Sequence, residues 1–586
     1  MRTVWTTVFV ATFCAATAYG QTELTEQQRI ADLNQLASLY AKNYAPYEWK
    51  RDVLGFDLLR LNSWMQQIHK QTDLDFQETL IDYVASLNDA HSFITFPSNF
   101  SVSLPLTLDI YDGKVLIDSI NRTLLPATQF PFGIGDELIA FDGRAVLDAI
   151  ASLRKYFILA NQRSTDRFAA GGLTGRPQQY QPHAADVPDS ALLTIRLAAT
   201  GVTSTYTIPW VRRGIPIASD GPVPSPGRQP FRETEEIPGT SSGPGQGRPP
   251  SVIRTATASV DDTLPPYMAS IAPLLNASLP MDQVGVLNLW NSKFPFYGPP
   301  PGFVQRRGAA SADFFLTGTF PANGLRIGLL RIPHMAPTSV STALQQLDSE
   351  LAYFNANTDG LVVDLTRNGG GSISFMESML QRFFPAPFQT IGFEIRANQN
   401  WFSGFAESLT AAKLANAPAQ IVQNLQNEFD EVERAFHQQR GRTIPLSLNF
   451  TGSLTLNPSS NAYRKPLLVL VDELTISAGE MMATVIQDNG RAPIFGMRTV
   501  GGGGSVVGFN ATSYTESTAY VTISLANRGR VIQTPDFPPT PYLENVGVRP
   551  DVVYDYMTRA NLMAAGSPYV QAFTNAIVNL IQHTVP

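Results

Sequence analysis

Cysteine is almost absent from this chain: one residue, Cys14, in 586. It lies in an apolar N-terminal stretch that reads as a removable leader, so the mature protein is expected to carry neither thiol nor disulfide. That excludes cysteine proteases, thiol redox enzymes and cysteine-ligated zinc. Runs of basic residues are also missing. With 42 Lys and Arg against 49 Asp and Glu, the net charge is −7. Such a chain offers no patch for nucleic acid or an anionic membrane surface. No cluster of ligating side chains calls for a metal, and no cofactor is expected. Lysine itself runs out early, since Lys465 is the last one.

What remains is a globular balance, 44% hydrophobic and 16% charged, enough for three or four units at roughly 100–200 residues each. Arg2, the apolar run Val4 to Ala16, and Ala18-Tyr19-Gly20 resemble a secretory signal cleaved near Gly20. The apolar run is short for a bilayer span, the alternative being an N-terminal anchor. Five Asn-x-Ser/Thr sequons, at Asn99, Asn121, Asn276, Asn449 and Asn510, fit a secreted, glycosylated protein.

Five segments follow the leader 1–20. Residues 21–100 are expected to be helical. Thr25 and Gln28 suit a capping box, and three stripes at helical spacing suit a small bundle: Ile30 to Tyr40, Leu58 to Ile68, and Phe76 to Leu87. Residues 101–213 turn to short β runs: Ser103 to Ile110, Lys114 to Ile120, Glu137 to Phe141 and Leu192 to Leu197. Residues 214–251 are rich in Pro, Gly and Ser and read as a disordered linker. Within it, Gly239-Thr240-Ser241-Ser242-Gly243 matches G-x-S-x-G in letters only, without the strand and helix that motif needs. Residues 252–562 alternate strands and helices, with a polar helical insertion at about 400–440. Leu361 to Leu365 and Leu467 to Val471 are continuously apolar, as strands covered on both faces are. Residues 563–586 close with an amphipathic helix over 567–582.

Three segments carry chemistry. In the first, Asp364-Leu365-Thr366-Arg367-Asn368-Gly369-Gly370-Gly371 runs a buried strand into three glycines. Their N–H groups suit an oxyanion, or the stretch is a plain flexible turn. In the second, a strand ends and a helix begins near Ser477. The Ser477 Oγ would sit at a helix N-terminus, and Ser477 with Glu480 equally reads as a capping box. The third is Glu544-Asn545-Val546-Gly547-Val548-Arg549-Pro550-Asp551. A serine nucleophile needs a base, a neutral lysine or an oriented histidine. No lysine follows Ser477. Of the six histidines, His91 and His334 are the rivals for a buried role, whereas His69, His183, His437 and His583 suit solvent, a loop or a frayed end.

In combination these motifs resemble peptidase family S41, the tail-specific and tricorn-core proteases. The resemblance rests on Asp364 to Gly371, on Thr475-Ile476-Ser477-Ala478-Gly479-Glu480, on Gly496-Met497-Arg498-Thr499-Val500-Gly501-Gly502-Gly503, and on Glu544 to Asp551. Gly135-Asp136-Glu137-Leu138 with Asp142-Gly143 resembles a PDZ-type module. Gly502 stands where bacterial members carry the lysine of a Ser–Lys dyad, so the layout is most similar to the CPAF-like branch, chlamydial and fungal. The resemblance implies an α/β, crotonase-like core with an N-terminal helical bundle and a β-rich PDZ-like domain. It implies a secreted serine endopeptidase acting on peptide or unfolded protein through an acyl-enzyme. Ser477 would be nucleophile, His91 base and Glu544 its orienting carboxylate. Gly370 and Ala478 would give oxyanion N–H groups, with Gly369, Gly371 and Glu480 in support. A catalytically silent peptide-binding protein and a serine esterase are the other readings.

Overall fold

The computed structural model describes residues 23–58, 60–217, 252–253, 261–278, 290–448 and 452–584. The signal segment, the G-x-S-x-G match and Asn449 lie outside them, as does most of the 214–251 linker.

Apolar alternation builds the central sheet. Seven strands lie in the order 304–307, 316–322, 325–331, 360–364, 467–471, 494–496 and 552–553. The first two pairings are antiparallel and the rest parallel. Because strand side chains alternate in direction, each buried strand feeds two cores. Leu361, Val363, Leu467, Val469 and Val471 face the core that takes in Leu347, Leu351 and Phe354 of the helix Val340–Asn357. Val362, Leu468 and Leu470 face Tyr569, Phe573 and Ile577 of the last helix, Ser567–Thr584. The result is an α/β core with helices on both faces. The insertion is a helix pair, Gln399–Leu414 and Ala419–His437.

The β-rich unit is an antiparallel sheet of the strands 106–111, 114–120, 137–141, 190–196 and 203–209, with a short strand 144–145 paired to 137–141. The expected single run Ser103 to Ile110 is broken into Ser101–Ser103 and Leu106–Tyr111. Pro105 falls in the gap and has no N–H to give a ladder.

At the N-terminus the Thr25 capping box forms as read, with Gln28 Oε1 accepting the Thr25 N–H at 2.8 Å. The rest of the region departs from a self-contained bundle. The stripe at 58–68 holds only the short helix Asn62–Gln67, and the helix Tyr47–Leu54 was not anticipated. The helices pack onto the main core. The Asp32 carboxylate accepts the N–H groups of Ser513, Tyr514 and Thr515, and the Tyr40 hydroxyl donates to the Tyr520 carbonyl at 3.0 Å. This docking brings residues 44–50 and 88–92 to the ends of the central strands.

Candidate active site

Two parallel neighbours, the strands Gly360–Asp364 and Leu467–Val471, end side by side and send their following loops over one edge of the sheet. The loops are stitched together. Asp472 Oδ1 accepts the Arg367 N–H at 2.9 Å, and the Asn368 carbonyl accepts the Ile476 N–H at 3.0 Å. Ser477 follows as N-cap of the helix Ala478–Asp488. Its backbone has φ 61° and ψ −133°, a conformation that costs a non-glycine residue roughly 1–3 kcal/mol and persists only where its surroundings impose it. A sharp strand-to-helix turn of this kind is how a hydrolase presents a serine Oγ. Ala478 opens the helix, so its N–H is one of the donors that a helix start leaves without an intrahelical acceptor.

Glu480 does the imposing. It is buried, and its Oε1 accepts the N–H of Ser477 at 3.1 Å and of Gly502 at 2.6 Å. Its Oε2 accepts from the Thr499 hydroxyl at 2.6 Å and the Gly501 N–H at 2.9 Å. Burial raises its carboxyl above the ordinary range while these four donors pull it back. The expected capping role is present, and it extends to the glycine turn.

His91 meets the same turn. A Cβ built on Gly502 would lie 3.2 Å from His91 Cε1 and 2.9 Å from the Ile476 side chain. A lysine at 502 therefore has no room, which agrees with a design without a dyad lysine there. The turn that carries His91 is set by Asp89, whose Oδ1 accepts the His91 N–H at 2.8 Å and whose Oδ2 accepts from Thr522 at 2.8 Å. Among the described residues neither ring nitrogen of His91 has a hydrogen-bond partner. Burial lowers its pKa to about 4, opposed by Asp89 and assisted by Lys50, so the imidazole is neutral, the form a general base needs.

Glu544 is also wholly buried, but its carboxylate is not on the imidazole. Oε1 pairs with Lys50 Nζ at 2.5 Å, and Oε2 accepts the Gly503 N–H at 3.0 Å. Burial, then Asp89, raise its pKa to about 7 against the pull of Lys50. The expected orientation of His91 by Glu544 is thus absent from this arrangement. The carboxylate is instead held by the buried Lys50 ammonium and the Gly503 N–H.

The glycine row differs in detail from the expected oxyanion site. The Gly370 N–H donates to Asn368 Oδ1 at 2.9 Å and the Gly369 N–H to Asn291 Oδ1 at 3.0 Å, so both donors are occupied within the loop. Gly371 is required sterically. At φ 146° a Cβ would sit 2.2 Å from the Met335 carbonyl carbon. The strand Asn276–Ser278 pairs antiparallel with Gly370–Ser372, which puts the Asn276 sequon beside this loop. Asn99 and Asn121 are exposed and Asn510 is half-buried.

The remaining histidines lie elsewhere. His334 Nδ1 accepts the Ala336 N–H at 3.1 Å, and its ring packs edge-on to Phe314. His69 pairs with Glu26, His183 with Asp186 and Asp75, and His437 with Glu433, all with substantial exposure. His583 Nδ1 lies 2.7 Å from the Asn579 carbonyl in the last helix. Sequence reasoning missed Lys50, Asp89, Asn545 and Thr499. Lys50 sits in the charged string Glu48 to Asp52, which reads as a solvent face.

A family model described as Peptidase family S41 matches residues 326–553, the stretch that contains both stitched loops and Glu544. That stretch is a peptidase family S41 domain. A second model, a PDZ domain, matches residues 100–214. The chain is a serine-type peptidase that carries an S41 peptidase domain and a PDZ domain. It is 25% identical over 612 residues to a Chlamydia pneumoniae protein, covering 97% of this chain and 93% of that one. A Chlamydia trachomatis protein is 23% identical over 629 residues, covering 94% and 93%. Its fold is that of mature CPAF, at a TM-score of 0.71 and 21% identity over 96% of this chain and 99% of that structure. The structure of mature CPAF complexed with lactacystin gives 0.70 at 22% identity over 95% and 99%.

Proposed function

We propose that this S41 peptidase is a secreted endopeptidase that works through Ser477, His91 and Glu544. The strained turn at Ser477 carries the reading, because Glu480 spends a buried carboxylate on holding it beside the glycine turn that His91 packs against. In the reaction His91 takes the Ser477 hydroxyl proton as Oγ attacks the scissile carbonyl. The oxyanion is met by the Ala478 N–H and by Gly370 once that donor leaves Asn368. Collapse passes the proton to the leaving amine, and water, activated in turn by His91, releases the acyl group.

The imidazolium formed midway needs a carboxylate, and Glu544 is the one at hand. Catalytic hydrogen bonds are often open without substrate, so substrate binding would bring the ring and the carboxylate together. The leader sequence and its sequons support secretion, and the PDZ domain supports an extended peptide or unfolded protein as substrate. Hydrolysis of casein by the purified protein, its loss in Ser477→Ala, and labelling of wild type alone by a fluorophosphonate would test this reading. Hydrolysis retained in Ser477→Ala would reject it.

A further inference from the structure

Lys50 is wholly buried, in a helix where the neighbouring charged residues Arg51 and Asp52 are exposed. Its ammonium has three acceptors: Glu544 Oε1 at 2.5 Å, Asn545 Oδ1 at 2.6 Å and the Asn88 carbonyl at 2.8 Å. Asn545 is fixed in turn, accepting from Trp49 Nε1 at 3.0 Å and donating through Nδ2 to the Asn88 carbonyl at 2.9 Å. Every ammonium proton is thus placed, and the acceptors come from the two segments that carry Glu544 and lead into His91. Burying an ion pair is costly and contributes little net stability, so a purely structural purpose is a weak reason for one beside the reacting groups.

We propose that Lys50 is a positioning residue of the catalytic site, which keeps Glu544 ionised and aimed so that the carboxylate is available to the His91 imidazolium. The inference rests on the Ser477, His91 and Glu544 reading given above. Glu544 is faced by Lys50 from the helix Tyr47–Leu54, by Tyr44 just before it, and by Asp89 from the turn at 88–92. Of these, Lys50 is the cation in direct contact, with the Gly503 N–H on the other oxygen. Without it the burial and the Asp89 charge would favour the protonated, silent form.

The test uses the full mature chain and compares wild type, Lys50→Gln, Lys50→Arg, Glu544→Gln and the Lys50→Gln/Glu544→Gln double variant. Casein hydrolysis is followed from pH 5 to pH 10. An adjacent cation lowers a carboxyl pKa by about 1–3. The acidic limb of kcat in Lys50→Gln is therefore expected to move up by that much, with activity at pH 7 down by about tenfold or more, recovery in alkali and KM unchanged. Lys50→Arg should keep the wild-type limb, and the double variant should be no slower than Glu544→Gln alone. A loss in Lys50→Gln that is uniform with pH, a wild-type profile, or losses that add in the double variant would overturn the inference. Should Lys50→Gln not melt cooperatively, a limb displaced in the charge-retaining Lys50→Arg overturns it instead. Full activity in Glu544→Gln would reject the triad reading itself, an outcome distinct from an inactive Glu544→Gln beside an unmoved Lys50→Gln.

Discussion

The N–H groups of Ser477 and Gly502 end on the same oxygen of Glu480, at 3.1 and 2.6 Å. One carboxylate thereby locks the nucleophile turn to the glycine turn under His91. This coupling makes the site a unit, and several measurable consequences come from it.

Glu480→Gln exchanges an acceptor of four donors for a group with one acceptor oxygen and an NH2 that must face N–H groups. Leaving buried donors unpaired costs about 1–3 kcal/mol each. Thermal melting should show at least that loss. Fluorophosphonate labelling of Ser477 should slow even at temperatures where the variant is folded.

Members of a catalytic unit are not additive. Ser477→Ala, His91→Ala and the double variant should all lose about 10⁴-fold or more in casein turnover, with the double no worse than either single. Circular dichroism should show the fold intact in each.

Ser477→Gly relieves the positive φ. The folded protein should gain about 1 kcal/mol from relaxed backbone strain, with no activity. A calorimetric melting temperature at or below that of Ser477→Ala would contradict the strain.

Gly502→Lys supplies the lysine of a Ser–Lys dyad but not the space for it. The new Cβ would press on Ile476 and His91. Loss of turnover is expected, in the wild-type background and in His91→Ala alike, and rescue of His91→Ala by this lysine would refute the packing argument.

Glu428 is buried, and among the described residues neither carboxyl oxygen has a partner. Burial raises its pKa from 4.5 to about 8. Between those values the folded chain keeps a proton that the unfolded chain has released, so stability falls as pH rises through the window. Glu428→Gln stays neutral throughout. The stability difference between variant and wild type, from urea unfolding, should grow from near zero at pH 4.5 to about 4 kcal/mol at pH 8.

The sheet was legible because Leu361 to Leu365 and Leu467 to Val471 are apolar at every position, and only a two-faced strand needs that. Ser477 and Glu480 were legible because their spacing has a local meaning at a helix start. The partner of Glu544 was not, since Lys50 stands 494 positions away among charges typical of a surface. The docking of the N-terminal helices was hidden for the same reason. Amphipathic periodicity tells which side of a helix is covered, but not by what. Pro105 carried a readable signal for the strand break, and the run of β-prone residues around it masked that signal.

The tie between Lys50 and Glu544 bears on when activity can begin. Such a contact closes only after the chain between its ends has been made and folded, and it is among the slowest to form. A growing chain will have exposed Ser477 to its surroundings well before the carboxylate segment joins the helix made hundreds of residues earlier. Until those two ends meet, the nucleophile turn stands without the Lys50–Glu544 pair, a delay written into connectivity.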